Sequence, residues 1–195
     1  MYESNHNNYS LYTGLIGIAY CYFLLAEQYN HKRNITIANM LIKNTIANFD
    51  QINSFTFSKG LLGIGWGIET ISQNGYCSIE TDKILYDFDD IIYKQSCFYR
   101  SASLSLENGA LGKGLCFYQR ILSNTSSYIT NRMLLNRECL SILIDEVIFF
   151  TNDILKKGLL ITREESILIS QSLLFLYNIY RKGIIINECP HVTNQ

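Results

Sequence analysis

Three copies of a short glycine motif constrain the fold of this chain more than any other feature. The copies occupy residues 10–19, 56–65 and 105–114 and align without gaps. Each begins with Ser or Thr followed by Leu or Phe, and each has glycine at its fifth and eighth positions. The first glycines are 46 and 49 residues apart. A repeat of this length suits two helices and two loops, so the sequence predicts an all-α array of helical hairpins.

The paired glycines are predicted to lie in the first turns of the inner helix of each hairpin. They are Gly14 and Gly17, Gly60 and Gly63, and Gly109 and Gly112. Glycine inside a helix costs about 1 kcal/mol relative to alanine, so three such pairs need a structural reason. The predicted reason is a close approach of the inner helices around a shared axis. The residues that open the motifs, Ser10, Thr56 and Ser105, are of the types that cap helix N-termini.

Amphipathic segments between and after the motifs predict the remaining helices. Apolar residues recur at helical spacing within residues 35–49, 84–92 and 140–150, and a last helix runs from about 164 to 182 before Gly183. About seven helices are therefore expected, as three hairpins and a terminal helix. On the second of these segments, the charged residues are expected to face solvent; they are Asp82, Lys83, Asp87, Asp89 and Asp90.

One domain covering residues 1–195 is expected, with tails at 1–9 and 186–195. The uncharged stretch 9–26 approaches the length of a membrane span. Glu3 precedes it and no Lys or Arg does, which is unlike a signal peptide. Its counterparts later in the chain favour a buried helix, so no membrane association is predicted.

The net charge and the cysteine spacing indicate which partners and which cellular compartment to expect. The net charge of −1 gives no reason to expect a nucleic-acid partner. The six cysteines are widely spaced and form no C-x-x-C pair. They are interpreted as reduced thiols, which predicts a cytoplasmic protein.

Residues 10–19 and 60–69 resemble the inner-helix motif of the lanthionine synthetase C-like (LanC-like) family. The resemblance extends over about residues 10–122 and rests on three motifs in register. It implies an α/α toroid of nested inner and outer helices. Closed toroids of this kind use six or seven hairpins, so the resemblance implies a truncated member with a partial or open ring.

The cyclases of that family bind zinc and add a cysteine thiolate to a dehydrated Ser or Thr. Their ligands are a Cys in a Trp-Cys motif and an adjacent Cys-His pair, and neither motif occurs here, since Gly67 follows Trp66. Cys189 and His191 flank Pro190, but two ligands are too few for a zinc site. No metal and no cofactor are therefore predicted.

The toroid places a set of polar and aromatic residues around its central opening. The predicted binding residues are Tyr12, Thr13, Lys59, Trp66 and Asn108. Lys59, Glu107 and Asn108 are the candidate catalytic residues. The polar ones would equally serve as capping or solvated groups, and Trp66 and Tyr20 as core residues.

Two functions follow from the resemblance. The first is a protein without a zinc site, a non-catalytic component of bacterial peptide modification that binds a peptide or a partner protein. The alternative is a zinc-independent toroid enzyme, cyclase-like or glycoside hydrolase-like, that uses the polar residues at the inner-helix N-termini. Since a partial ring exposes apolar inner faces, self-association is one way of completing it.

Overall fold

The computed structural model of the protein describes residues 8–123 and 130–184. These two ranges contain α-helices, short 3-10 turns and loops, and no β-strand. The helices are α1 (Leu15–Tyr29), α2 (Lys32–Ala47), α3 (Leu61–Gln73), α4 (Thr81–Ile84), α5 (Tyr86–Cys97), α6 (Ala110–Ser123), α7 (Asn131–Leu155) and α8 (Arg163–Arg181). The prediction of an all-α chain is confirmed.

The helices form a row of hairpins. In the first hairpin α1 packs on α2, and in the third α6 packs on α7. The second hairpin consists of α3 with α4 and α5. The inner helices α1, α3 and α6 follow one another side by side, and α8 packs on α6 and α7 at the far end of the row. The main core lies between the inner and outer helices; it includes Ile16, Phe23, Ile42, Leu62, Ile68, Phe117 and Leu140.

The outer helix of the second hairpin is divided, which raises the helix count from the expected seven to eight in the described ranges. Leu85 separates α4 from α5 with φ −92° and ψ 12°, and its side chain is completely buried. Its backbone nitrogen still donates to Thr81 O at 2.8 Å, so the chain turns without losing this bond. Neither proline nor glycine marks the division, which left it undetectable from sequence.

The paired glycines begin the inner helices, but the predicted capping residues do not. Gly14 and Gly60 are the N-caps of α1 and α3 in extended conformation, with no side-chain cap. Ser10, Thr56 and Ser105 lie four residues before the first glycine, so their prediction as N-caps was wrong. The carbonyls of Thr56 and Ser105 instead close a turn, accepting from Gly60 N at 3.0 Å and from Gly109 N at 3.1 Å, while the Ser10 carbonyl accepts from Gly17 N at 3.4 Å.

The reason for the glycines also differs from the prediction. A Cβ on Gly17, Gly63 or Gly112 would collide with the carbonyl oxygen of Leu11, Phe57 or Leu106, six residues earlier in the same repeat. The close approach is therefore between each inner helix and its own preceding turn. Neighbouring inner helices around a shared axis do not cause it, because each of these turns folds back over the first turn of its helix.

A third glycine in the second and third motifs makes room for an aromatic ring. A Cβ on Gly65 would overlap the ring of Phe88 on α5, and one on Gly114 would lie 2.7 Å from Phe175 Cζ on α8. These positions let the rings of the neighbouring helices approach the inner-helix backbone.

The two ends of the described chain show how far the fold extends. Tyr9, within the predicted N-terminal tail, is buried in the core. Helix α8 begins at a capping box formed by Thr162 and Glu165, and Gly183 follows its end with φ +63°. None of the helices in residues 8–123 and 130–184 combines the length and apolar character needed to cross a membrane. Cys189 and His191, which flank Pro190, lie outside the described residues.

Candidate functional site

The N-termini of α1, α3 and α6 are built by the same backbone arrangement. We call residues 10–14, 56–60 and 105–109 the mouth turns, because each leads into an inner helix. The first helical nitrogen of each repeat donates to a carbonyl seven residues earlier at 2.9 Å: Leu15 to Asn8, Leu61 to Ser54 and Ala110 to Ser103. The sequence repeat is thus also a repeat of hydrogen bonds.

Backbone hydrogen bonds join the three mouth turns into one row. Tyr12 N donates to Ser58 O at 3.2 Å, and Phe57 N donates to Glu107 O at 2.7 Å. Residues that are 46 to 50 positions apart in sequence are therefore in direct contact. The row fixes the spacing of the side chains that the turns carry.

Glu107 belongs to this row through its side chain as well. Its Oε2 accepts a hydrogen bond from Ser58 N at 3.0 Å, and its Oε1 accepts one from Ser58 Oγ. Both carboxylate oxygens are thus engaged by the neighbouring turn. In this arrangement Glu107 holds two turns together, a role that its prediction as a catalytic candidate did not include.

The mouth turns present four of the five predicted binding residues. Tyr12, Thr13, Lys59 and Asn108 are exposed, and the last three occupy the same position of the three turns. The Thr13 hydroxyl also accepts a bond from Asn8 Nδ2 at 3.3 Å. Together they form a polar surface with one aromatic ring.

Trp66 does not belong to this exposed set. It lies on the second turn of α3, is half-buried, and its ring centroid is 5.8 Å from that of Phe57. Tyr20, its counterpart on α1, is also half-buried and lies 6.4 Å from the ring of Tyr76. Both residues pack against the core.

A buried ion cluster, which the sequence did not reveal, lies toward the other end of the inner helices. Arg120 on α6 donates to Asp89 on α5 through Nε at 3.1 Å and Nη2 at 2.5 Å, and to Glu69 on α3 through Nη1. All three residues are at most 3% exposed. The prediction that Asp89 faces solvent was therefore wrong, whereas Asp87 and Asp90 are exposed.

Two further charged residues, Asp82 and Arg132, lie at the edge of the cluster. Asp82 accepts from Arg120 Nη2 at 3.1 Å and also lines a cleft of about 740 Å³ with Thr81 and Ser123. Arg132 lies 3.8 Å from the Asp89 carboxylate. A signal did exist in the sequence, because Glu69 and Arg120 are charged residues within inner helices that are largely apolar.

Burial dominates the electrostatics of the cluster. It raises the pKa of both Glu69 and Asp89, although the charge and hydrogen bonds of Arg120 act in the opposite direction. Burial also disfavours the Arg120 cation, but the two carboxylates outweigh this effect and raise its pKa. Among the described residues Glu69 Oε2 has no hydrogen-bond partner. The cluster lies about nine residues, or about 14 Å, along the helices from the mouth turns, so it is separate from them.

A second buried charged residue, Lys113, lies beside the C-terminal end of α5. Lys113 on α6 donates from Nζ to Gln95 O and Tyr99 O at 3.2 Å each, and burial lowers its pKa. Beside it, Cys97 Sγ lies 2.8 Å from Cys139 Sγ on α7. Burial is the main cause of the raised pKa of Cys139. These groups join the second and third hairpins.

Comparison with known proteins gives one match. Residues 5–168 match a family model described as lanthionine synthetase C-like protein. No curated protein and no solved structure matches the chain.

The cyclases that the motifs resemble depend on zinc, which requires three or four closely grouped donor side chains. Within residues 8–123 and 130–184, no three His, Cys, Asp or Glu side chains are grouped so that they could hold a metal. At the mouth turns, Thr13, Lys59 and Asn108 offer no thiolate, imidazole or carboxylate. The described residues therefore do not fit the zinc of the cyclases.

Proposed function

Since the chain belongs to the lanthionine synthetase C-like family, we propose that it is a non-catalytic member that binds a peptide or a partner protein at its mouth turns. The proposal assigns the binding surface to Tyr12, Thr13, Lys59 and Asn108. Trp66 contributes by supporting this surface through its contact with Phe57.

The observation that carries the proposal is the hydrogen-bonded row of mouth turns. The bonds from Tyr12 N to Ser58 O and from Phe57 N to Glu107 O hold the turns at fixed spacing. The exposed side chains are therefore presented at regular intervals along a rigid backbone. A preorganised surface of this kind loses little entropy when it binds an extended ligand.

The chemistry of the surface suits a peptide. Asn108 and Thr13 offer groups that pair with peptide N–H and C=O, Tyr12 offers an aromatic face, and Lys59 offers a cation. The inner helices point their N-termini toward the turns, and none of the three has an acidic residue in its first turn. At α1 the positive end of the helix dipole is thus left without an acidic side chain and favours carbonyl oxygens and carboxylates, whereas the Glu107 carboxylate lies between the second and third turns.

Two observations support a role without catalysis. Both carboxylate oxygens of Glu107 are engaged by Ser58, which opposes its use as a general acid or base. The described donor groups do not fit a zinc ion. A cyclase without zinc would need another group to activate the attacking thiol.

A binding experiment tests the proposal. Synthetic Cys-containing peptides with dehydrated Ser or Thr, and their unmodified forms, are titrated with the protein and followed by fluorescence anisotropy. We expect saturable binding that weakens about tenfold or more when Lys59→Ala and Asn108→Ala are combined. Lys43→Ala, an exposed lysine on outer helix α2, is the matched control and should leave the affinity unchanged.

The same samples distinguish binding from catalysis. Thiol alkylation and mass spectrometry should recover every peptide with its cysteine free. Loss of free thiol that depends on the protein would favour the enzyme alternative, and Lys59, Glu107 and Asn108 would then be the residues to substitute. Absence of binding at millimolar peptide would contradict peptide binding at the mouth turns. We further propose that the protein acts in the cytoplasm of a bacterium that modifies peptides, without a cofactor.

A further inference from the structure

Two cysteine side chains meet where α5 ends against α7. Cys97 is the last residue of α5, and its Sγ lies 2.8 Å from the Sγ of Cys139 on α7. Of the five cysteines that the structure describes, all are free thiols and only these two form a hydrogen bond between sulfur atoms. A disulfide would bring the two atoms to about 2.05 Å, so bonding requires only a small displacement of the helices.

The two thiols differ in their access to solvent. Cys97 is half-buried, whereas Cys139 is completely buried. Burial is also the largest cause of the raised pKa of Cys139, which keeps this residue a protonated thiol. A small oxidant therefore reaches Cys97 first, and Cys139 is placed to attack the product. Redox-sensing cysteines commonly have this arrangement of an accessible thiol beside a resolving one.

A buried cation lies beside the accessible thiol. The ammonium of Lys113 donates to the carbonyls of Gln95 and Tyr99, two residues before and two residues after Cys97. Lys113 is close enough that a Cys97 thiolate attracts its charge and favours the protonated amine. The thiolate is the nucleophilic form of cysteine, and a neighbouring ammonium favours it.

The thiol pair lies at the start of the segment that leads to the third mouth turn. This segment, residues 98–104, connects the end of α5 to Ser105. It is held to α7 by the Ser101 nitrogen, which donates to both oxygens of Glu146 at 3.2 and 3.3 Å. A thiol is only a weak hydrogen-bond donor, so the contact between Cys97 and Cys139 adds little to this attachment while both are reduced.

We propose that Cys97 and Cys139 form a reversible redox switch, in which a disulfide fixes the end of α5 and the segment 98–104 against α7. The oxidant is a low-molecular-weight disulfide such as oxidised glutathione. The Cys97 thiolate attacks one of its sulfur atoms, forms a mixed disulfide and releases one glutathione, which takes up a proton. Cys139 then loses its proton and attacks the Cys97 sulfur, which releases the second glutathione.

The reaction is balanced and can run in both directions. The two protein thiols lose two electrons and two protons, and glutathione disulfide gains them. Reduced glutathione in excess reverses both steps and restores the thiol pair. The inference concerns the contact between two hairpins and does not depend on peptide binding at the mouth turns.

Peptide mapping in glutathione buffers tests the chemistry with the full chain. The protein is equilibrated at increasing ratios of oxidised to reduced glutathione, unfolded in acid and alkylated. We expect a peptide linked through Cys97 and Cys139 that accumulates with the oxidised form and disappears when reduced glutathione is restored. Recovery of both residues as alkylated thiols from the most oxidising buffer would overturn the proposal.

Single variants test the order of the two steps. Cys139→Ser should retain one glutathione on Cys97, because the resolving thiol is missing, whereas Cys97→Ser should leave Cys139 unmodified. Cys77→Ser removes another half-buried thiol and is the control, which should still form the Cys97–Cys139 link. Glutathione on Cys139 in the Cys97→Ser protein would overturn the assignment of Cys97 as the accessible thiol.

Hydrogen exchange tests whether the bond acts on the segment 98–104. Local opening that separates α5 from α7 should become rarer in the oxidised protein, so the amides of this segment should exchange at least about tenfold more slowly. Amides of α1 and α2 should exchange equally in both states, and the double variant Cys97→Ser/Cys139→Ser should show no dependence on the buffer. Equal exchange of residues 98–104 in the reduced and the linked wild type would overturn the switch.

Discussion

The carboxylate of Glu107 accepts hydrogen bonds from both the backbone nitrogen and the hydroxyl of Ser58, a residue 49 positions earlier in the chain. This pair joins the third mouth turn to the second, beside the backbone bond from Phe57 to the Glu107 carbonyl. A position chosen from sequence as a catalytic candidate thus has a clear role in holding the candidate binding surface together.

Substituting Glu107→Gln should destabilise the fold by about 1–2 kcal/mol, because a charged acceptor of two bonds becomes a neutral one. Urea unfolding followed by circular dichroism measures this difference. Asp145→Asn, at an exposed carboxylate on α7, is the control and should change stability by less than about 0.5 kcal/mol. An equally small effect of Glu107→Gln would show that the bond to Ser58 contributes nothing.

Arg120→Met should be among the most damaging single substitutions. It leaves Glu69 and Asp89 buried without their shared cation, which typically costs about 3–5 kcal/mol. Arg137→Met is the control, because it makes the same substitution at an exposed position of α7 outside the cluster. Equal unfolding midpoints for the two variants would refute a stabilising role of the cation.

Glu69→Gln tests the protonation of the cluster. The pKa of Glu69 is raised above its usual 4.5, so the folded state holds the proton at pH values where the unfolded chain has released it. Its contribution to stability is therefore full below about pH 4.5 and decreases as pH rises toward the raised pKa. The wild type should lose stability relative to Glu69→Gln over this range, by up to about 1.4 kcal/mol per pH unit. A pH-independent difference between the two unfolding free energies would contradict this expectation.

The glycine motif predicts a contrast between two alanine substitutions. In Gly112→Ala the new methyl group would overlap the carbonyl of Leu106, so we expect a loss of about 3 kcal/mol or more. In Gly158→Ala the methyl group would meet open space, and only the positive φ of 57° opposes it, at about 1 kcal/mol. Thermal unfolding of both variants measures the contrast, and similar losses would argue against the backbone contact.

Cys97 and Cys139 should form a disulfide on treatment with oxidised glutathione. Their sulfur atoms are 2.8 Å apart, which is too long for the bond of about 2.05 Å but close enough for exchange. The two thiols lose two protons and two electrons, and glutathione disulfide is reduced to two glutathione thiols. The link closes a loop of 42 residues and should raise stability by about 4 kcal/mol.

Non-reducing peptide mapping identifies the linked pair. Cys97→Ala should abolish the gain in stability, and Cys77→Ala should preserve it. Oxidation that modifies exposed Cys21 while leaving Cys97 and Cys139 as thiols would count against the prediction.

The sequence by itself determined the helical hairpins and the equivalence of Thr13, Lys59 and Asn108. Both follow from periodicity, since hydrophobic spacing and the glycine pairs act over one or two turns of chain. The family followed from the same motifs. A local pattern does not encode the direction in which each side of a helix points. Asp89 is an example, because its position next to Asp87 and Asp90 predicts a solvent-exposed residue.

Only the tertiary structure decided what these residues contact. Asp89 is buried because Arg120, 31 residues later, compensates its charge, and Glu107 is engaged because the third mouth turn lies against the second. The six motif glycines pack on their own preceding turns, a geometry that exists only once each turn has folded back over its helix. Such contacts depend on distances between segments tens of residues apart, and the packing of the whole row of helices sets those distances.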